Sequence, residues 1–177
     1  MSNLLILKGI FLKDIENVRP LQTLFVRPIM PKYIALPKFF KTVEDWPQQS
    51  NLKCWHCNRT PKSTPKFIPM QPIITADNST IYPVHGHFDT WNCAVAYAIY
   101  HSTSASNRKD SLQLIVEVEF IFSGVKKYKI EEAPSPTEMI EYCGNGGITE
   151  DEYGEKIDQI NKEYSFNQYS MNKLTPS

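Results

Sequence analysis

Apolar residues at the start of the chain fall in short clusters, Leu4 to Leu7, Ile10 to Leu12 and Leu24 to Val26, separated by Gly9, Pro20 and Pro28. Clusters this short predict strands or an extended arm over residues 1–35. Pro28, Pro31, Pro37 and Pro47 then forbid a long helix, because each lacks an N–H and biases the residue before it toward extended backbone. Only Lys38 to Asp45 has room for a helical turn. Beyond Pro61 further prolines frame extended pieces and loops, with Phe67-Ile68 and Pro72 to Ile74 as short strands. At Trp91 the period changes, and Ala94, Val95, Ala98 and Ile99 recur at helical spacing, which predicts a helix over 90–102.

From Leu112 to Phe122 the pattern alternates, with Leu112, Leu114, Val116, Val118, Phe120 and Phe122 set against Gln113, Glu117 and Glu119. Alternation predicts a half-buried strand, and Ser123-Gly124 supplies a turn into a returning strand, so 112–130 reads as a β-hairpin. Two helix starts follow. Ser135-Pro136-Thr137-Glu138 joins an N-cap serine, a proline at the first helical position and a glutamate three residues on, and Thr149 to Glu152 repeats the capping box. Cys143-Gly-Asn-Gly-Gly147 between them is a helix stop and turn; it has no Lys-Ser/Thr after it and no strand before it, which argues against a phosphate loop. Residues 165–177 read as a polar tail.

The 177 residues suit one compact domain with appendages, and 19 basic against 19 acidic residues leave no net charge to drive non-specific binding of nucleic acid or membrane. The distribution is uneven. Residues 1–66 carry eleven basic and four acidic residues, and ten acidic residues follow Lys129. No stretch reaches the roughly 18 apolar residues of a membrane span. The N-terminal apolar run has neither a basic flank nor a small-residue cleavage site, so the expected location is intracellular.

Four cysteines, two of them as Cys54-Trp-His-Cys57, fit a metal site in a reducing compartment better than a disulfide framework. Cys93, one turn into the expected helix, supplies a third thiolate at a helix N-terminus, where negative charge is favoured. Zinc wants four ligands. The candidates for the fourth are His87 and Asp89, with His87 slightly preferred because Asp89 has a ready role as helix N-cap; His85 and His56 rank lower, and Cys143 reads as a free thiol. No nucleophile motif, isolated acid–base pair or open metal position stands out, so the chain reads as a non-enzyme. Lys53, Trp55, Arg59, Lys62 and Lys66 around the knuckle form a candidate face for nucleic acid or a protein partner.

Leu36-Pro-Lys-Phe-Phe-Lys-Thr, Asn51-Leu-Lys-Cys-Trp-His-Cys, Pro65-Lys-Phe-Ile-Pro and Gly86-His-Phe-Asp-Thr-Trp-Asn-Cys-Ala, in this order and spacing, resemble the late transcription factor two family of large nucleocytoplasmic DNA viruses. That family carries an FCS-like zinc finger, in which a Cys-Trp-x-Cys knuckle precedes a Gly-x-Phe-Cys-Ser-x-x-Cys-Ala segment running from hairpin into helix. Cys54, Cys57 and Cys93 fall on three of its ligand positions, and Asp89 stands where the family has cysteine. The likeness covers about residues 33 to 101, with a weaker echo through Thr137 to Tyr142 and Gly146 to Tyr153. It implies a zinc-binding factor that works with viral RNA polymerase or late-promoter DNA at cytoplasmic replication sites, with the virion as a second location. A rival of another class is a viral finger module that binds host proteins and dampens antiviral signalling. The expected architecture is α+β: a zinc finger of knuckle, β-hairpin and helix over 36–103, then a β-hairpin and an acidic helical region over 104–164.

Overall fold

The computed structural model describes residues 35–174, with side chains described through Tyr164; the strands or arm expected over 1–35 lie almost wholly outside that range. The described part is α+β. Strand β1 (Phe39–Phe40), β2 (Lys66–Pro69), β3 (Ile73–Ile74) and β4 (Thr80–Phe88) are followed by α1 (Trp91–His101), α2 (Ala105–Ser123), a 3-10 turn (Pro136–Glu138), a short α3 (Ile140–Cys143) and α4 (Glu150–Leu174). The two short strands expected around Phe67 and Ile73 and the helix expected over 90–102 are all present. Where a helical turn was allowed at Lys38 to Asp45, the chain forms β1 and a turn closed by Trp46 N–H on Val43 C=O at 3.3 Å.

The central strand was not foreseen. β4 pairs antiparallel with each of the other three, β3 through Ile73↔Ile81, β1 through Phe40↔Tyr82 and β2 through Ile68↔His85 and Lys66↔Phe88. Pro83 and Gly86 hid it, since both are poor strand formers. Pro83 brings no donor to the ladder, and its carbonyl accepts from Met70 N–H at 2.9 Å. Between Ile68↔His85 and Lys66↔Phe88 the strand carries one extra residue, a bulge at which Gly86 takes φ +74°. A side chain at Gly86 would collide with the Phe88 ring, 2.6 Å from its Cβ position. The bulge breaks alternation, so His87, Phe88 and Asp89 are buried in succession.

The expected β-hairpin over 112–130 is replaced by helix α2. Ile115, Val118 and Glu119 are buried, with Leu112 and Phe122 half-buried on the same face, whereas Phe120, which a strand would place beside Val118, is 48% exposed. Spacings of three and four therefore win over spacings of two. Ser104 caps the helix start by accepting from Asn107 N–H, and Gly124, read as a hairpin turn, is instead the left-handed C-cap at φ +67°. The core is aromatic: Phe40, Phe67 and Trp91 meet Phe122 of α2, and Trp46 packs against Phe40 and Phe67, its ring centre 4.5 Å from that of Phe67.

After α2, residues 125–134 run as an extended strap, without the returning strand expected there. The Asn92 side chain of α1 donates to Glu131 C=O, and its backbone carbonyl accepts from Ala133 N–H. The Pro134 carbonyl lies 3.1 Å from His56 Nε2 and accepts from Tyr153 Oη at 2.6 Å. The capping box at Thr149 is formed in both directions, Thr149 N–H to Glu152 and Glu152 N–H to the Thr149 hydroxyl. At Ser135 the cap starts only a 3-10 turn. Helix α4 runs on to Leu174, through most of the segment expected as a tail.

Candidate metal centre

The knuckle is closed by backbone. Cys54 N–H donates to Arg59 C=O at 2.8 Å, Asn58 N–H donates to Cys54 C=O at 2.9 Å, and Asn58 sits in the left-handed region that asparagine tolerates. Trp55 N–H donates to His87 C=O at 2.9 Å and fixes the knuckle to the bulged end of β4. That end leads directly into α1, whose N-cap is Thr90: its hydroxyl accepts from Cys93 N–H at 3.2 Å. The N-cap role expected of Asp89 belongs to its neighbour.

These contacts bring Cys54, Cys57 and Cys93 together, all buried, with their sulfurs within 4.8 Å of one another. Cys57 and Cys93 Sγ are 3.8 Å apart. Zn–S bonds of about 2.3 Å at tetrahedral angles would set sulfurs about 3.8 Å apart, so the trio fits a thiophilic metal ion. As free thiols they share charge unequally. Hydrogen bonds from Cys54 and Cys93, with help from Arg59, push Cys57 down to about 2, while donating to Cys57 pushes Cys54 up to about 11. Such a cluster holds one thiolate easily, and a divalent cation supplies the charge that lets the others ionise.

Neither candidate for the fourth ligand joins the cluster. Both ring nitrogens of His87 are engaged, Nδ1 3.2 Å from Lys53 C=O and Nε2 3.0 Å from the Ser50 hydroxyl, and burial pushes its pKa down. The Asp89 carboxylate is paired with the Arg59 guanidinium, the two side chains 5% and 6% exposed. Cys143 is exposed and apart, its thiol directed at the backbone carbonyls of Glu138, Met139 and Gly144 at the two ends of α3.

Arg59 therefore does not belong to an outward basic face. Besides Asp89, it donates to Glu150 C=O at 2.7 Å and lies over the Tyr153 ring, 5.1 Å from its centre, clamping the start of α4 onto the knuckle. Lys66 also turns inward, over Phe122 at 4.8 Å and Trp91 at 5.6 Å, and burial pulls its pKa down to about 8. Lys53, Trp55 and Lys62 stay at the surface, Lys62 in an exposed pair with Asp151 at 2.6 Å. The clamp was missed in the sequence, although Gly154, a glycine in the second turn of a helix, signals a close approach: a side chain there would lie 2.8 Å from Arg59 Nη1.

Over 109 residues, 62% of this chain and 62% of the relative's length, the sequence is 32% identical to "Uncharacterized protein B175L" of African swine fever virus, in both the Pretoriuskop tick isolate and the Badajoz 1971 strain. The Kenyan pig isolate's protein of the same description is 30% identical over the same length. The chain is thus similar to proteins of a large DNA virus and spans less than two thirds of the curated relatives it matches. No protein-family model and no solved structure matches it.

Proposed function

We propose that this chain is a viral, non-enzymatic recognition module built on a zinc-stapled finger, and that it serves late-gene transcription beside the viral RNA polymerase at cytoplasmic replication sites. The observation that carries this reading is the convergence of Cys54, Cys57 and Cys93 where the knuckle, β4 and the first turn of α1 meet, the order in which the late transcription factor two finger is built. The likeness to African swine fever virus proteins supports a viral setting. On this reading zinc, held by the three thiolates, contributes folding free energy and keeps Trp55, 52% exposed, at the tip of the knuckle as an anchor for a partner.

A second reading, a finger that binds host proteins and dampens antiviral signalling, draws on one observation. Two of the five residues expected on the face for nucleic acid or a partner, Arg59 and Lys66, are committed to internal contacts, which leaves Lys53 and Lys62 with Trp55 as a surface better suited to protein than to DNA. Affinity purification of the tagged protein from infected cells at moderate salt, beside a Cys54→Ser variant, separates the two. Polymerase subunits or late-promoter DNA recovered only with the intact finger support the first reading. Host signalling proteins without polymerase reject it for the second.

A further inference from the structure

Every cysteine and histidine of the sequence lies between Cys54 and Cys143, within the described residues, so each thiol and imidazole can be placed; His101, at the C-terminal end of α1, stacks on Tyr97. Three sulfurs converge. His87 spends both nitrogens on Ser50 and Lys53, His56 Nε2 meets Pro134 C=O, the His85 ring packs edge-on against Trp55, and Asp89 is held by Arg59. Cys143 engages backbone carbonyls of its own turn. A closed structural zinc site has four protein ligands, and among the described residues three converge.

One member of the cluster borders a cleft. Cys54 lines a cleft of about 790 Å³ together with Lys53, Trp55, His56, His87 and Tyr142. Large enough for small molecules, the cleft is bordered by a cation at Lys53 and by aromatic rings, surroundings that admit an anionic, polarisable donor.

We propose that the metal of this finger is held by three protein ligands, Cys54, Cys57 and Cys93, and that its fourth ligand is an exchangeable donor from solution, water or a low-molecular-mass thiol, entering through the cleft beside Cys54. The inference rests on the metal-bound state of the finger reading and on nothing else in it. Asp89 is spent on Arg59 and does not join the sulfurs, and the guanidinium beside Cys57 offsets the negative charge of a tris-thiolate centre.

The test uses the full chain loaded with one equivalent of zinc, and in parallel with cobalt(II), whose visible spectrum reports its ligands. X-ray absorption of the zinc form is expected to count three sulfurs and one nitrogen or oxygen, and four sulfurs after addition of 2-mercaptoethanol. The cobalt form should shift its d–d bands saturably with the thiol and gain thiolate charge-transfer absorption. His87→Ala, Asp89→Asn and Cys143→Ser should leave the starting spectrum and the thiol response in place. A spectrum blind to the thiol, four protein ligands at the outset, a spectrum altered by any of the three variants, or loss of the metal to the thiol would each overturn the proposal. Failure to bind any metal would sink the finger reading itself, so the two failures are told apart.

Discussion

Replacing Arg59 by methionine tests the clamp between knuckle and α4 at its centre. The change keeps the apolar stem, and removes the charge beside Asp89, the donor to Glu150 C=O and the cation over Tyr153. Breaking a buried ion pair by removing one partner costs about 3–5 kcal/mol, because the other charge stays behind. An independent route gives the same size. Asp89 escapes by taking a proton, which costs about 1.4 kcal/mol for each pH unit above its ordinary value, or about 4 kcal/mol at pH 7 and about 2 kcal/mol at pH 5. The folded variant then binds one proton more than its unfolded chain, so its deficit must grow as pH rises. Urea unfolding of the metal-loaded protein at both pH values measures this, with Arg59→Met/Asp89→Leu as the double variant that removes both charges and recovers most of the loss. A deficit under about 1 kcal/mol at pH 7, or one equal at pH 5 and pH 7, would refute the clamp as described.

Gly154→Ala, which in an ordinary helix stabilises by about 1 kcal/mol, should destabilise here because the new methyl meets Arg59 Nη1, and its sign should reverse in the Arg59→Met background, both read by thermal melts. Burial lowers the folded pKa of His87 from its ordinary 6.5, so the neutral ring's contribution stands in full above pH 6.5 and is lost as pH falls toward the folded value. The stability gap between the native chain and His87→Gln should accordingly narrow on acidification, and a gap that widens would contradict it. Cys57→Ser should lose the metal and, with it, the protected amides of β4, as followed by metal analysis and hydrogen exchange.

How far the sequence shows this fold depends on whether local signals agree with tertiary ones. Helix α1 and the Thr149 capping box were legible because period, cap and propensity point the same way, and Cys54, Cys57 and Cys93 because ligand spacing is a covalent constraint. The stretch from Leu112 to Phe122 misled because its apolar residues satisfy two periods at once, and what decides between them is the packing of Ile115, Val118 and Phe122 against sheet and α1, which no window of sequence contains. β4 was hidden by Pro83 and Gly86, since what makes it a strand is its pairing with three other segments and not its own residues. The basic face was misread at Arg59 for a related reason: charge counts cannot tell a solvated arginine from one spent on Asp89, 30 residues away.

The positions of the cysteines have a consequence for the unfolded chain as well as the folded one. Cys57 and Cys93 stand 36 residues apart, and the segment between them holds β2, β3 and β4 entire, while β1, α2 and α4 lie outside. A metal that stays on the thiolates during unfolding acts as a cross-link around that segment, and closing a loop of this length in advance removes chain entropy of about 4 kcal/mol on the cross-link estimate. Two of the three strand pairings would then begin inside a ring, over short separations, and only β1 and the helices would have to find their places from outside. The metal-loaded chain should for that reason refold faster than the stripped one.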